Sequence, residues 1–253
     1  LATSDTERGY PPSIGTPQLR EAAVEWFANR FGVRVPTSGI AACVGSKELV
    51  AGLPHWLRLR SPELDTVLYP AVSYPSYAMG ATLAGCRAVP VAMDEHWRVD
   101  LGSIDPRDAR RALCLWVNTP GNPAGALDDL GAAAGWGREN GVPVFSDECY
   151  AEFTWSGEPA VESMPPGRTI LEHGVDGVVA VHSLSKRSNL AGLRLGFYAG
   201  DGDLVEYLSE VRKHAGFMVP GPVQAAGVAA LGSQDHVEVQ RGRYLRRLEE
   251  TAQ

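Results

Sequence analysis

The sequence predicts an α/β fold, an open sheet with crossover helices. Three observations lead there. Segments of helical periodicity alternate with short apolar runs along the chain, as strands joined by crossover helices do. The residues best suited to chemistry (Asn118, Asn122, Asp147, Ser183 and Lys186) fall just after three of those runs, and open α/β sheets bind ligands at the carboxyl ends of their strands. Finally, 253 residues with 44% hydrophobic content suffice for a large buried core, as one domain or one and a half.

Taken in order, residues 17–31 read as an amphipathic helix with Leu19, Ala23, Trp26, Phe27 and Phe31 on one side. A second helix, 46–59, follows Gly45. Short strands are expected at 66–69, 87–92, 112–117, 142–146, 177–182 and 195–199. Between the third and fourth lies an alanine-rich helix, 127–139, weakened by Gly131, Gly135 and Gly137. Residues 203–214 and 222–231 read as helices that Val219-Pro-Gly-Pro222 breaks apart. The basic segment 237–250, with Arg241, Arg243, Arg246 and Arg247, reads as the first helix of a further, smaller domain.

A net charge of −7 and a pI near 5.4 argue against nucleic acid or an anionic membrane as the main partner. No apolar run is long enough to span a bilayer. The cysteines Cys43, Cys86, Cys114 and Cys149 are widely spaced among apolar neighbours. That pattern reads as buried thiols in a reducing cytoplasm. The histidines form no metal-ligand spacing, and His182 reads as a strand-end side chain.

The most informative segment is VHSLSKRSNLAGLR, Val181 to Arg194. Lys186 stands just past an apolar run, with Ser183 and Ser185 before it and Arg194 eight residues after it. An amine flanked by hydroxyls and a guanidinium suits a cofactor that carries both an aldehyde and a phosphate. The amine forms a Schiff base while the hydroxyls and Arg194 hold the phosphate. The chain has 20 Arg and only three Lys (Lys47, Lys186 and Lys213), so a lysine here is not an arbitrary positive charge.

This segment, with NTPGNPAG at 118–125 and DECY at 147–150 in the same order, resembles the fold-type-I pyridoxal phosphate (PLP) enzymes, the class I/II aminotransferases. The form around Lys186 looks most like actinobacterial N-succinyldiaminopimelate aminotransferases. The resemblance implies a three-layer α/β/α large domain with a seven-stranded, mostly parallel sheet holding one antiparallel strand, followed by the start of a small α+β domain. The implied division is 1–202 for the large domain, 203–236 for connecting helices and 237–253 for the beginning of the small domain. It also implies that the chain is a piece of a longer protein. Leu1 already lies close to the family's Tyr-x4-Gly-x3-Leu-Arg segment, Tyr10 to Arg20, and the arginine that grips the substrate carboxylate in relatives falls beyond Gln253.

Carried over residue by residue, the resemblance implies the following roles: Lys186 is the Schiff-base lysine and the base that moves the α-proton. Asp147 keeps the pyridine nitrogen protonated, since an apolar strand end leaves that interaction little screened. Tyr150 and Asn122 donate to the cofactor's O3′. Gly45 admits the backbone to the phosphate, and Ser46 binds it with the helix-start amides. Lys47 stands in the same phosphate-binding turn, although a solvated helix lysine is its plainer reading. Ser183, three residues before the lysine, is preferred over Ser185 as a phosphate ligand, beside Arg194. Tyr74 stacks on the ring. Tyr10 matches the tyrosine that reaches the neighbouring subunit's phosphate, which implies a homodimer with a shared site.

By the same resemblance the donor is glutamate and the acceptor N-succinyl-2-amino-6-oxopimelate, on the route to lysine and diaminopimelate. The same residues would also serve another amino-acid aminotransferase, a C–S lyase, a decarboxylase, or a non-catalytic PLP-sensing domain.

Overall fold

In the computed structural model, residues 9–155 and 168–251 are described. Residues 1–8 and 252–253, the two ends of the expected division, lie outside them. In chain order the elements are α1 (Pro17–Phe31), β1 (Ile40–Cys43), α2 (Ser46–Arg60), β2 (Thr66–Pro70), α3 (Ser76–Leu83), β3 (Arg87–Val91), α4 (Pro106–Ala109) and β4 (Ala112–Asn118). There follow α5 (Leu130–Asn140), β5 (Val144–Asp147), β6 (Val178–Ser183), α6 (Leu184–Arg187), β7 (Gly196–Gly200), α7 (Gly202–His214), α8 (Gly221–Leu231) and α9 (Asp235–Thr251).

The strands form one seven-stranded sheet in the order β1-β7-β6-β5-β4-β2-β3. Pairings from β3 through β6 are parallel, and β7 runs antiparallel to both of its neighbours. The expected mostly parallel sheet with one reversed strand is therefore what forms. All seven residues of β4 are buried, as a central strand covered on both faces requires. Alternate residues of one strand serve opposite layers, because side chains on a strand alternate in direction. Leu115 and Val117 join α1, α5 and α8 on one face, while Cys114 and Trp116 join α2, α3 and α7 on the other.

All six expected strands form, with ends shifted by one or two residues. Some elements departed from expectation. The edge strand β1 was not foreseen, because Ile-Ala-Ala-Cys is short and its alanines carry little strand preference. Helix α3 was missed as well. Its eight residues include Gly80, where a Cβ would sit 3.0 Å from the carbonyls of Val50 and Ala51. That glycine lets α3 lie directly against α2. The helix expected from 127 begins at Leu130 instead, because the Asp129 carboxylate caps it by accepting from Ala132 N at 2.9 Å.

Candidate active site

The sheet register sets the site. Asn118 ends β4 beside Asp147, which ends β5, and Asp147 lies opposite Val181, two residues before the end of β6 at Ser183. Together these carboxyl ends form the floor of a cavity of about 470 Å³. Its walls include Ser46, Lys47, Tyr74, Asn122, Asp147 and Tyr150. Ser183, Lys186 and Arg194 line it too, joined by Ser185 and Cys149, so that of the expected residues only Gly45, at the adjoining helix start, and Tyr10 are not in the lining. One cavity thus gathers side chains from five connections spread over almost 150 residues.

Each is placed by local structure. Gly45 caps α2 with φ +74°, a conformation a side chain rarely adopts, and a Cβ there would overlap the Arg194 guanidinium. Arg194 itself has φ +54° and ψ +52° and donates from Nη1 to the Ala191 carbonyl at 2.8 Å. The guanidinium is thereby laid against the first turn of α2, whose amides lack intrahelical partners and form the positive end of the helix dipole. Ser183 caps α6, accepting from Ser185 N at 3.1 Å and donating to Ser185 Oγ at 2.9 Å. The α6 turn then presents Lys186 at its solvent side.

Asp147 is buried at 7% exposure. Its Oδ2 accepts from the Tyr77 hydroxyl at 2.9 Å and its Oδ1 from Cys149 N at 3.2 Å. Burial pushes its carboxyl above the usual range, against those two hydrogen bonds. Among the described residues no cation forms an ion pair with it. A cationic N–H brought into the cavity would offset that burial. Burial likewise raises the Tyr150 phenol, which stays protonated and able to donate. Asn122 Nδ2 reaches the Tyr150 hydroxyl at 3.3 Å. Lys47 Nζ lies 5.4 Å from the centre of the Tyr74 ring, so it braces that ring as well as lining the cavity.

Asn118, marked in the sequence only by its place after an apolar run, has a definite role here, and other contributors escaped sequence reasoning. Asn118 ties two strands' ends together, donating to the Asp147 carbonyl at 2.8 Å and accepting from Asn122 N at 2.7 Å. Tyr77, whose hydroxyl donates to Asp147 Oδ2, is not singled out by the sequence, because that hydroxyl is aimed only when α3 docks. Arg187 points away from Lys186 into a buried hub on Glu152, which also takes Trp26 Nε1, Arg30 Nε and Gln234 Nε2. His182 sits inside β6 against Trp26, Phe27 and Phe197, its Nε2 2.9 Å from Glu148 Oε2 but out of line for a hydrogen bond. Tyr10 is not in the cavity. It is 94% exposed and borders a larger hollow of about 810 Å³ with Pro11, Pro12, Glu206 and Lys213, which gathers none of the expected catalytic residues.

The donor set fits PLP. Three cations (Lys47, Lys186 and Arg194) and one carboxylate line the cavity, and a phosphate monoester carries close to two negative charges. The uncompensated Asp147 suits a ring N–H, and the crowded Gly45 cradle suits a phosphate at a helix start.

Comparison with known proteins agrees. The chain is 43% identical over 252 residues to the 4-dedimethylamino-4-oxo-anhydrotetracycline transaminase OxyQ of Streptomyces rimosus, which covers 96% of the chain and 65% of that relative. It is 42% identical to a probable aminotransferase of Mycobacterium tuberculosis, over 98% of the chain and 56% of that relative. The chain thus spans less than two thirds of the length of either. A probable N-succinyldiaminopimelate aminotransferase from Thermus thermophilus superposes with a TM-score of 0.81 at 31% identity, covering 98% of this chain and 67% of that one. The family described as aminotransferase class I and II matches residues 1–253, and the chain belongs to that PLP-dependent family.

Proposed function

We propose that the protein is an aminotransferase that moves an amino group from glutamate to an oxo compound, using PLP held in the cavity around Lys186. What supports this most is the meeting of Lys186, Asp147 and Arg194 in one cavity at the carboxyl edge of the sheet. When bound, PLP supplies an aldehyde that condenses with amines and a protonated ring that draws electrons from the substrate's α-carbon. The chain's own residues do the rest. Lys186 Nζ carries the proton away from the α-carbon. Asp147 holds the proton on the ring nitrogen. Tyr150 and Asn122 donate to the ring oxygen, and Tyr74 covers the ring face. Ser46, Ser183, Arg194 and the first amides of α2 hold the phosphate. Lys47 adds charge there and braces Tyr74.

The exposed Tyr10 supports a homodimer in which this side chain completes the partner's phosphate site. We assign residues 1–202 to the cofactor-binding unit, 203–236 to connecting helices and 237 onward to the start of a second unit.

Two acceptors have support. N-succinyl-2-amino-6-oxopimelate is favoured by the segment around Lys186 and by the name of the Thermus neighbour. A bulky ketone is favoured by the name of the Streptomyces relative, at higher identity. The reading is tested by the absorbance spectrum of the full-length protein with PLP. A visible band of lysine-bound cofactor should form, bleach with glutamate and return with a 2-oxo acid. Lys186→Ala should abolish both the band and turnover. Failure of the band to form would remove the assignment of Lys186. A band indifferent to glutamate would favour a lyase, a decarboxylase or a PLP-sensing domain.

A further inference from the structure

Asp147 accepts one hydrogen bond on each carboxylate oxygen, from Cys149 N on Oδ1 at 3.2 Å and from the Tyr77 hydroxyl on Oδ2 at 2.9 Å. We infer that Tyr77 is a positioning residue for the proposed reaction. Its hydroxyl holds Asp147 ionised and oriented, so that the proton they share stays on the cofactor's ring nitrogen and not on the carboxylate. The inference rests on the role proposed for Asp147 and names what that role requires.

The pair is closed on itself. Tyr77 is fully buried, and among the described residues its hydroxyl has no hydrogen-bond partner but Asp147. Burial pushes the phenol well up, so it remains a donor. Burial also pushes the Asp147 carboxyl up, toward the acid, and the hydrogen bonds from Cys149 and Tyr77 oppose that. A hydroxyl that donates to a carboxylate favours the ionised form. Asp147 in its acid form would already carry the proton that the ring needs. With the Tyr77 hydroxyl removed, Asp147 becomes the stronger base, and the proton crosses from the ring nitrogen to the carboxylate. The pair as a whole neither gains nor loses a proton.

Packing leaves Tyr77 little freedom to point elsewhere. Its ring centre lies 5.1 Å from that of Trp116 with 31° between the planes, and 6.4 Å from that of Tyr74 at 82°. Trp116 stands on β4 two residues before Asn118, which holds the Asp147 carbonyl at 2.8 Å. Three residues past Tyr77, Gly80 seats α3 against the Val50 and Ala51 carbonyls. One docking contact therefore places Tyr77 beside Asp147 while Tyr74, just ahead of α3, lines the cavity. A tyrosine that served packing alone would lower stability when changed, but it would not move a proton between two other groups.

The test therefore reads the proton. The full-length protein is saturated with PLP labelled with ¹⁵N in its ring, and the NMR shift of that nitrogen at neutral pH separates a protonated ring from a neutral one. Asp147→Asn supplies the reference for a ring without its anion, and the native protein should lie at the protonated end. Tyr77→Phe should move the signal toward the Asp147→Asn position. It should also cut kcat with glutamate about tenfold or more, as losing one hydrogen bond to a charged group implies, with KM for glutamate nearly unchanged. Placing 4-aminophenylalanine at position 77 keeps the shape with a weaker donor and should give an intermediate signal, which decides the matter alone if the Phe variant does not fold. A native-like signal in these variants, with losses confined to stability or PLP affinity, overturns the inference and leaves the role of Asp147 intact. An Asp147→Asn signal identical to the native one removes that role, and the inference falls with it.

Discussion

Glu152→Gln probes the hub that anchors the lysine segment. Glu152 is 3% exposed and pairs with Arg187, itself 4% exposed, at 3.2 Å and with Arg30, 18% exposed, at 2.7 Å. Glutamine keeps the shape and one acceptor oxygen but removes the charge, leaving the Arg187 guanidinium buried without a counter-ion. Breaking a buried pair in this way costs about 3 kcal/mol at the lower end of such measurements, or a fall in Tm of roughly 6–12 °C for a chain of this size. The pH dependence gives a second handle. Burial pushes the Glu152 carboxyl up, but Arg30 and Arg187 more than offset it, so the group sits below its ordinary value. Its contribution is complete above the ordinary carboxylate range and drains away as pH falls through the lowered folded value. Urea unfolding of both proteins from neutral to acid pH is the assay. The gap should be widest at neutral pH and close in acid. A gap below about 1 kcal/mol, or one that widens in acid, would show that the pair is solvated and that this reasoning is wrong.

Tyr77→Phe keeps the ring against Trp116 but removes the donor to Asp147 Oδ2. It should destabilise the protein by about 1.5–3 kcal/mol and weaken PLP retention, read by thermal melts and by dialysis of the holoenzyme. Gly45→Ala forces φ +74° on a residue with a Cβ and displaces the Arg194 guanidinium. PLP affinity should fall by about tenfold or more, as losing one charge-assisted phosphate contact of about 1.5–3 kcal/mol implies. Affinity for pyridoxal without its phosphate should change far less, as spectral titration with each would show. Arg212→Met removes a guanidinium that donates to Glu48 at 2.7 Å and to the Ala42 carbonyl at 2.8 Å. That leaves Glu48 to cap Val44 N uncompensated, and stability should drop by about 3–5 kcal/mol in urea.

What was legible in the sequence had a chemical reason to stand alone. Lys186 and Asp147 are charged groups set after apolar runs, where a charge at a strand end is hard to explain by packing, and Arg194 stands out by its place eight residues past the lysine. The six strands seen in advance are rich in branched or aromatic residues. Strand β1 is mostly alanine and takes its identity from pairing Ile40–Cys43 with Gly196–Ala199, a partner more than 150 residues away. The same limit hid Tyr77, which reads as an ordinary core tyrosine until α3 docks and aims its hydroxyl at Asp147. Arg187 looked like one more cation beside the lysine, because the Glu152, Ala230 and Gln234 atoms that turn it inward come from elsewhere in the chain.

That inward turn explains how one segment serves two ends. Lys186 and Arg187 are adjacent basic residues, yet only the first reaches the cavity. Arg187 spends its donors on Glu152, Ser188 Oγ and the Ala230 carbonyl, and its guanidinium lies 5.8 Å from the Trp26 ring. With Arg187 neutralised in the core, the turn of α6 is held, and Lys186 on its exposed side lines the cavity. The cavity keeps Lys47, Lys186 and Arg194 against a single carboxylate in a chain whose net charge is −7. Excess positive charge in a cleft on an otherwise acidic surface focuses the field there and draws in anions. Raising the salt concentration should accordingly slow PLP capture by the apoprotein far more than it slows capture of pyridoxal, and stopped-flow absorbance with the two compounds would show whether it does.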